Sequence, residues 1–304
     1  HISKNNPLIL IQPDVVLKGE NSIFEYLSNE KFGKTVKNQV NISNQPSAST
    51  IEQYSSKFDI FHSALKDGRF QKLVLSRTFD YERIHSLSLG SIFKKACETY
   101  PFNFIFLCNT PETGTWIGIS PELLLSEENG NCKTVALAGT KDMKTEEWDE
   151  KNRNEQQIVV DYMKQQLTKA GHTYTQTEPF TAQSGNIHHL KTEFSFKLHD
   201  TGKIGDLLNL LHPSPAVCGF PKEEAFDFIL KNEGYDRRYY SGFVGSLNIE
   251  AKSDLYVNLR CMQADDNILR MYAGGGLLPS SDMTSEWQET ENKLQTILKV
   301  VDNN

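Results

Sequence analysis

Three consecutive glycines close an apolar run near the C-terminus, Leu269-Arg270-Met271-Tyr272-Ala273-Gly274-Gly275-Gly276-Leu277-Leu278, and Pro279 leads on into Ser285-Glu286-Trp287-Gln288-Glu289-Thr290-Glu291-Asn292-Lys293-Leu294. The pattern predicts a strand, a glycine turn, a loop and a helix. Glycines at a strand end permit positive φ and leave backbone N–H groups open, so a ligand can approach the main chain closely. On the helix, residues advance by about 100° each, which places Glu286, Glu289 and Lys293 within roughly 60° of one another. Two carboxylates and an ammonium beside a glycine turn suit a metal ion together with an anion. On this stretch alone, a solvated helix face with an i, i+4 pair between Glu289 and Lys293 is the simpler reading. The choice has to come from other segments.

The whole chain narrows the field. Its 304 residues can bury a large core, as one big domain or two joined ones. A formal charge of −7 argues against nucleic acid or an anionic membrane as partner, because no phosphate-neutralising patch is available. A small anionic ligand needs only a local cluster of cations. The five cysteines, Cys97, Cys108, Cys132, Cys218 and Cys261, are scattered, odd in number and without C-x-x-C spacing, which fits reduced thiols and a cytoplasmic protein. No apolar run reaches the ~18 residues of a membrane span, and no signal peptide is expected.

Taken in order, Pro7 to Ile11 reads as a buried strand and Asn38 to Thr50 as a surface loop. Ile51 to Lys66 has helical spacing. In the strand Gln71 to Thr78, Lys72 shares a face with Val74 and Ser76. Such a lysine usually snorkels to solvent; held in a partly dry pocket, where its charged form is disfavoured, it can act as a base. Phe102 to Asn109 and Thr115 to Ile119 make a hairpin that runs on into Ser120-Pro121-Glu122-Leu123-Leu124-Leu125. There Glu122 is wedged among apolar residues: either desolvated, with a raised pKa suited to proton donation, or a strand-end carboxylate reaching water. Val135 to Thr140 is a strand ending in Gly139-Thr140, an anion-binding turn or a plain one.

Thr145 to Ala170 reads as a long helix with Ile158, Val159, Tyr162, Met163 and Leu167 as its buried stripe. Glu155 lies on that side, whereas Lys151, Asn152, Arg153 and Asn154 suit an exposed N-terminal half. A buried carboxylate needs a cation. An arginine is the usual partner; Mg²⁺, which takes hard oxygen ligands and only one or two protein carboxylates, is the other. In the strand Gly185 to Phe194 only one of His188 and His189 can face inward. Helices follow over Gly205 to Leu211 and Lys222 to Asn232, then strands over Tyr239 to Asn248 and Leu255 to Met262, the latter containing Arg260, which wants an anion or a structural salt bridge. Mixed elements without regular βαβ repetition predict an α+β fold with large antiparallel sheets.

Lys72-Leu-Val-Leu-Ser-Arg77, Gly118-Ile-Ser-Pro-Glu-Leu-Leu-Leu125, Leu137-Ala-Gly-Thr140, Leu211-His-Pro-Ser-Pro-Ala216, Gly242-Phe-Val-Gly245, Arg260-Cys261 and Ala273-Gly-Gly-Gly276 with Glu286-Trp-Gln-Glu-Thr290 together resemble the chorismate-utilising enzymes, and most closely the isochorismate synthases. The resemblance covers about residue 55 to the C-terminus. It implies the fold of anthranilate synthase component I, with helices packed outside the sheets, and one chorismate-binding catalytic domain over residues 1–304, of which 1–50 form a short variable N-terminal portion. It further implies Mg²⁺ held by Glu155 and Glu289 with Glu286 assisting through water; substrate carboxylates held by Gly139, Thr140, Arg260, Lys293 and the backbone around Gly274 and Gly275; His189 against the ring; Lys72 as general base and Glu122 as general acid.

Chorismate loses its C4 hydroxyl as water adds at C2, which calls for one group to deprotonate water and another to protonate the leaving hydroxide. Ammonia-using members such as anthranilate synthase lack the lysine matched by Lys72, and aminodeoxychorismate synthases carry a nucleophilic lysine where this chain has Ala138. Water as nucleophile is the expectation. Salicylate synthases, which go on to eliminate pyruvate, are the alternative, followed by a non-catalytic chorismate-binding protein. A monomer is expected, with menaquinone and siderophore synthesis both open as destinations of the product.

Overall fold

The structure, a computed structural model, describes residues 2–19, 21–22, 42, 50–83, 87–142, 147–184 and 187–302. Among these residues the strands form two sheets in which every pairing is antiparallel. The first holds, in spatial order, β2 (Phe104–Thr110), β3 (Gly114–Ser120), β12 (Cys261–Ala264), β13 (Ile268–Leu277), β1 (Lys72–Glu82) and β9 (Gly219–Phe220). The second holds β10 (Phe243–Ile249), β11 (Lys252–Val257), β4 (Leu123–Glu128), β5 (Asn131–Asp142), β8 (Ile187–Lys197) and β6 (Tyr174–Gln176), with β7 (Phe180–Ser184) also paired to β8.

Helices cover the sheets, as the α+β reading expects. Of α2 (Leu89–Thr99) and α6 (Met283–Val301), the first buries Ile92 and Ala96 and the second Leu294, Ile297 and Val300 against Ile117, Met262, Leu269 and Met271 of the first sheet. On the second sheet, α3 (Glu150–Lys169) and α4 (Ile204–Leu211) bury Val159, Met163, Leu167, Leu207 and Leu211 against Leu125, Ala136 and Phe194. Each buried Val, Leu, Ile, Met or Phe side chain contributes roughly 1.5–3 kcal/mol by leaving water. The helices α1 (Ile51–Lys66) and α5 (Lys222–Asn232) close a third cluster, around Phe61 and Phe228, against β1.

The two sheets share a seam. β3 pairs with β12 in one sheet and β4 with β11 in the other, so two neighbouring stretches of chain, Pro121-Glu122 and Asn258-Leu259-Arg260, cross between them. The crossings are stitched together: Val257 N donates to Glu122 O at 3.0 Å, Ser120 Oγ to Val257 O at 2.6 Å and Ile119 N to Arg260 O at 3.0 Å. Glu122 and Arg260 are therefore set side by side by the chain's change of sheet.

Several expectations need correction. Leu255 to Met262 is not one strand: Arg260, at φ +47°, breaks the run into strands of different sheets. Residues 7–11 form no strand, and Leu8, Leu10 and Ile11 are exposed; five apolar residues in a row do not guarantee a pairing partner. The helix over Glu155 starts at Glu150, because the Asp149 side chain caps it by accepting from Asn152 N; Thr145 lies outside the described residues, as do Gly185 and most of Asn38 to Thr50. The second strand of the hairpin ends at Ser120, and β5 continues past Thr140 to Asp142 with an irregularity at Gly139.

Candidate active site

The three glycines lie inside β13 and not in a turn. Gly274, Gly275 and Gly276 face Ser76, Leu75 and Val74 of β1 in regular register, and none has positive φ. Their missing side chains matter for a different reason, close approach. A Cβ on Gly276 would stand 2.2 Å from Glu155 Oε1 and 2.6 Å from Lys72 Cε; one on Gly275 would stand 3.1 Å from Glu286 Oε2 and 3.7 Å from Glu289 Oε1; one on Gly274 would meet the Tyr240 hydroxyl at 2.9 Å. The bare strand is the platform on which charges from α3, α6 and β1 converge.

Those charges alternate in sign. Lys72, fully buried on β1, has its ammonium 2.9 Å from Glu155 Oε1 of α3, at an approach too oblique for a hydrogen bond. Lys151, one turn before Glu155, donates to Glu286 Oε1 at 2.5 Å, as Ser281 Oγ does at 2.6 Å. Lys293 donates to Glu289 Oε1 at 2.5 Å and to Gly274 O at 2.8 Å. Burial and the neighbouring Glu289 charge push the Glu286 carboxyl up to about 7, against the pull of Lys151. Burial acts on Glu289 in the same sense, but Lys293 and Lys151 outweigh it and hold that carboxyl down at about 2. The i, i+4 pair foreseen on a solvated face thus exists, turned inward.

The seam supplies the opposite wall. Burial raises the Glu122 carboxyl to about 8 despite Lys72, Arg260 and Lys293 within electrostatic reach, so it is an uncharged acid at neutral pH. His189 is buried on β8, and burial, with Arg260 and Lys293 nearby, lowers its pKa to about 3. Its tautomer follows from its partners. Arg260 Nη2, only a donor, lies 3.2 Å from Nε2, so Nε2 accepts and Nδ1–H donates to Gly139 O at 2.9 Å. Gly139, at φ +71°, forms the irregularity in β5 that turns Thr140 toward α3, where Thr140 N donates to Asn152 Oδ1 at 2.9 Å.

Between the walls lies a cavity of about 50 Å³. Of the residues singled out from sequence, Glu122, Gly139, Thr140, Glu155, His189, Arg260, Gly274 and Lys293 line it. Lys72 touches the lining through Glu155 and Glu289 through Lys293; Gly275 lies between the lining residues Gly274 and Gly276, and Glu286 is held by Lys151 and Ser281. Sequence reasoning missed Tyr240, another lining residue, and Ser281, and it placed Lys151 and Asn152 on an exposed helix half. Asn152 is buried and Lys151 reaches inward. The signal for Lys151 was present, four residues before Glu155 on the same helix face; Ser281, in a loop, gave none.

Fold and site together define a protein with a charged pocket, at the seam of two antiparallel sheets, that suits a small carboxylate-bearing molecule. The chain belongs to the chorismate binding enzyme family, whose profile matches residues 12–302. It is 30% identical over 241 residues to isochorismate synthase EntC of Escherichia coli, an alignment covering 75% of this chain and 62% of that protein; the chain thus spans less than two thirds of that relative's length. A solved structure named as the 2,3-dihydroxybenzoate-specific isochorismate synthase DhbC of Bacillus anthracis matches with a TM-score of 0.76 at 30% identity, covering 87% of this chain and 76% of that one. The fold is shared more widely: anthranilate synthase component I of Streptococcus pneumoniae superposes with a TM-score of 0.73 at 21% identity, over 91% of this chain and 64% of its own.

Proposed function

We propose that the chain is an isochorismate synthase that converts chorismate to isochorismate by adding water at C2 and releasing the C4 hydroxyl. The observation that carries this reading is an uncharged Glu122, raised to about 8, lining a pocket with Glu155, Arg260 and Lys293, with the buried Lys72 set behind that lining at 2.9 Å from Glu155. A lysine acting as base on water and a carboxylic acid giving its proton to the departing hydroxyl are the two transfers the reaction requires. Arg260, whose Nη2 faces a neutral histidine, has its charge available for a substrate carboxylate. Lys293, Thr140, and the backbone of Gly139, Gly274 and Gly275 would hold the substrate's remaining polar groups, and His189 would pack against the ring region, its tautomer fixed by Gly139 and Arg260.

The donor set also suits Mg²⁺. Glu286 Oε2 is buried without a partner, and Glu155 and Glu289 present hard oxygens beside it. Among the described residues no three His, Cys, Asp or Glu side chains stand close enough together to form a metal cage; Mg²⁺ itself uses one or two protein carboxylates and keeps waters for the substrate. Glu155 and Glu289 would hold it, with Glu286 assisting through water. When bound, Mg²⁺ supplies positive charge for the ring carboxylate and for the displacement. On this reading residues 1–304 act as one catalytic unit with 1–50 as a variable portion, a cytoplasmic monomer with neither nucleic acid nor membrane as partner. Among the described residues no helix is long and apolar enough to cross a membrane.

Incubation with chorismate and MgCl₂ should yield isochorismate, and Lys72→Ala and Glu122→Gln should each lower turnover by about 10²–10⁴ while chorismate still binds. Full turnover in both variants would end the assignment of roles. Salicylate and pyruvate accumulating in place of isochorismate would identify a salicylate synthase, and binding without any product a non-catalytic chorismate-binding protein.

A further inference from the structure

Lys151 takes no part in the proton transfers above, yet its ammonium stands among three carboxylates. Glu286, Glu289 and Glu155 all stand within electrostatic reach of it. It sits on Glu286 Oε1 at 2.5 Å, leaving Glu286 Oε2 buried and without a partner. Each of the three carboxylates has a lysine within ion-pair distance, Lys72 on Glu155, Lys151 on Glu286 and Lys293 on Glu289. A divalent cation entering this cluster therefore meets carboxylates already engaged, one of them by Lys151.

The three lysines differ in their freedom to leave. The Lys72 side chain is 0% exposed, that of Lys293 11% and that of Lys151 24%. Moving Lys72 or Lys293 off its partner would strand a charge in the interior, whereas Lys151 can swing its head group to water at the open end of its own helix.

We propose that Lys151 is a resident counter-ion: it neutralises the acidic cluster while no divalent cation is bound, and leaves Glu286 for solvent when one enters. The inference rests on the magnesium reading of the same site. By displacing its own ammonium the protein keeps the substrate-free site a weak binder of metal, so the cation loads chiefly with the anionic substrate.

Calorimetric titration of MgCl₂ into substrate-free protein, with melting temperatures in EDTA and in MgCl₂, tests it on wild type, Lys151→Met and Lys151→Arg. Lys151→Met should bind Mg²⁺ roughly ten-fold more tightly than wild type, melt at lower temperature in EDTA because Glu286 has lost its cation, and regain that loss in MgCl₂. Lys151→Arg, which keeps the charge, should bind as weakly as wild type. Equal or weaker Mg²⁺ binding by folded Lys151→Met overturns the inference while leaving the metal reading intact; failure of wild type and variant alike to bind Mg²⁺, with chorismate present, overturns both. If Lys151→Met does not fold in EDTA, Lys151→Gln, whose amide still reaches Glu286, is titrated in its place with the same two outcomes.

Discussion

Two buried charge networks flank β1, and they are built to opposite standards. In one, Arg237 donates through Nε to Glu233 Oε2 at 2.6 Å, through Nη2 to Glu233 Oε1 at 2.6 Å and Val74 O at 2.8 Å, and through Nη1 to Val217 O at 2.8 Å. Glu233 Oε1 also accepts from Ser76 N at 2.7 Å and Ser76 Oγ at 2.8 Å. In the other, the Lys72 ammonium meets Glu155 obliquely, Glu286 Oε2 has no donor, and Arg260 Nη2 rests on a neutral ring. Buried charges are tolerated when their bonding capacity is filled. Capacity left unfilled beside a cavity is capacity kept for a ligand. The first network holds the strand in place; the second keeps the open donors and acceptors that the proposed ligands require.

If that contrast is right, cutting the filled network should cost the most. Arg237→Met leaves Glu233 buried without its cation, and a loss of about 3–5 kcal/mol is expected, read from denaturant unfolding at neutral pH. A loss under about 1 kcal/mol would place Glu233–Arg237 with the poorly satisfied charges.

Glu122 tests the unfilled side through pH. Its carboxyl lies at about 8 in the folded chain against an ordinary value of 4.5. Between those values the unfolded chain gives up the proton and the folded chain keeps it, so stability falls as pH rises, by about 1.4 kcal/mol per unit, and levels off above the folded value. Glu122→Gln has no proton to lose. Its melting temperature should match wild type near about pH 5 and exceed it increasingly toward about pH 8, while a constant difference across the range would mean that Glu122 is not buried as an acid. The same proton, needed by the leaving hydroxyl, should give activity a falling limb near about pH 8.

Much of this site was legible because its members contradict their surroundings: Lys72 heads an apolar strand, Glu122 sits among leucines, and Glu155 opens the buried stripe of a helix. Local sequence carries such conflicts. Long-range geometry is not carried there. Nothing in Tyr256 to Met262 says that the chain changes sheet at Arg260, since the residues on both sides suit a strand. The glycines announced a special backbone but not which property was in use, and the structure uses their lack of side chain, not their φ. Lys151 and Asn152 look like any polar helix start until α6 and the irregularity at Gly139 are brought against them. The exposed Leu8 and Leu10 show the reverse failure, an apolar pattern that pairs with no strand among the described residues.

Gly276 measures how tightly the unfilled network is seated. An added methyl at 2.2 Å from Glu155 Oε1 and 2.6 Å from Lys72 Cε forces the pair apart or the strand aside. Gly276→Ala should cost about 1–3 kcal/mol in stability and lower turnover as well, because the strained atoms belong to the proposed base and its carboxylate partner. Unchanged melting temperature and turnover would show that this half of the site has slack.

The smallest effect separates the two networks most finely. Ser281 Oγ donates to Glu286 Oε1 and accepts from Leu278 N at 3.0 Å, so it is one of the few satisfied links on the unfilled side. Ser281→Ala removes a bond that favours the charged carboxylate, and Glu286 lies at about 7, lifted by burial and by Glu289. Below that value the carboxyl holds its own proton and depends less on the hydroxyl; above it, the anion keeps only Lys151. The stability loss should therefore be roughly 1 kcal/mol above about pH 8 and smaller at about pH 6. Paired melting curves at the two pH values check the sign: an equal loss at both would mean that Glu286 is held charged throughout, and the acidic cluster would then be as fully satisfied as Glu233 and Arg237.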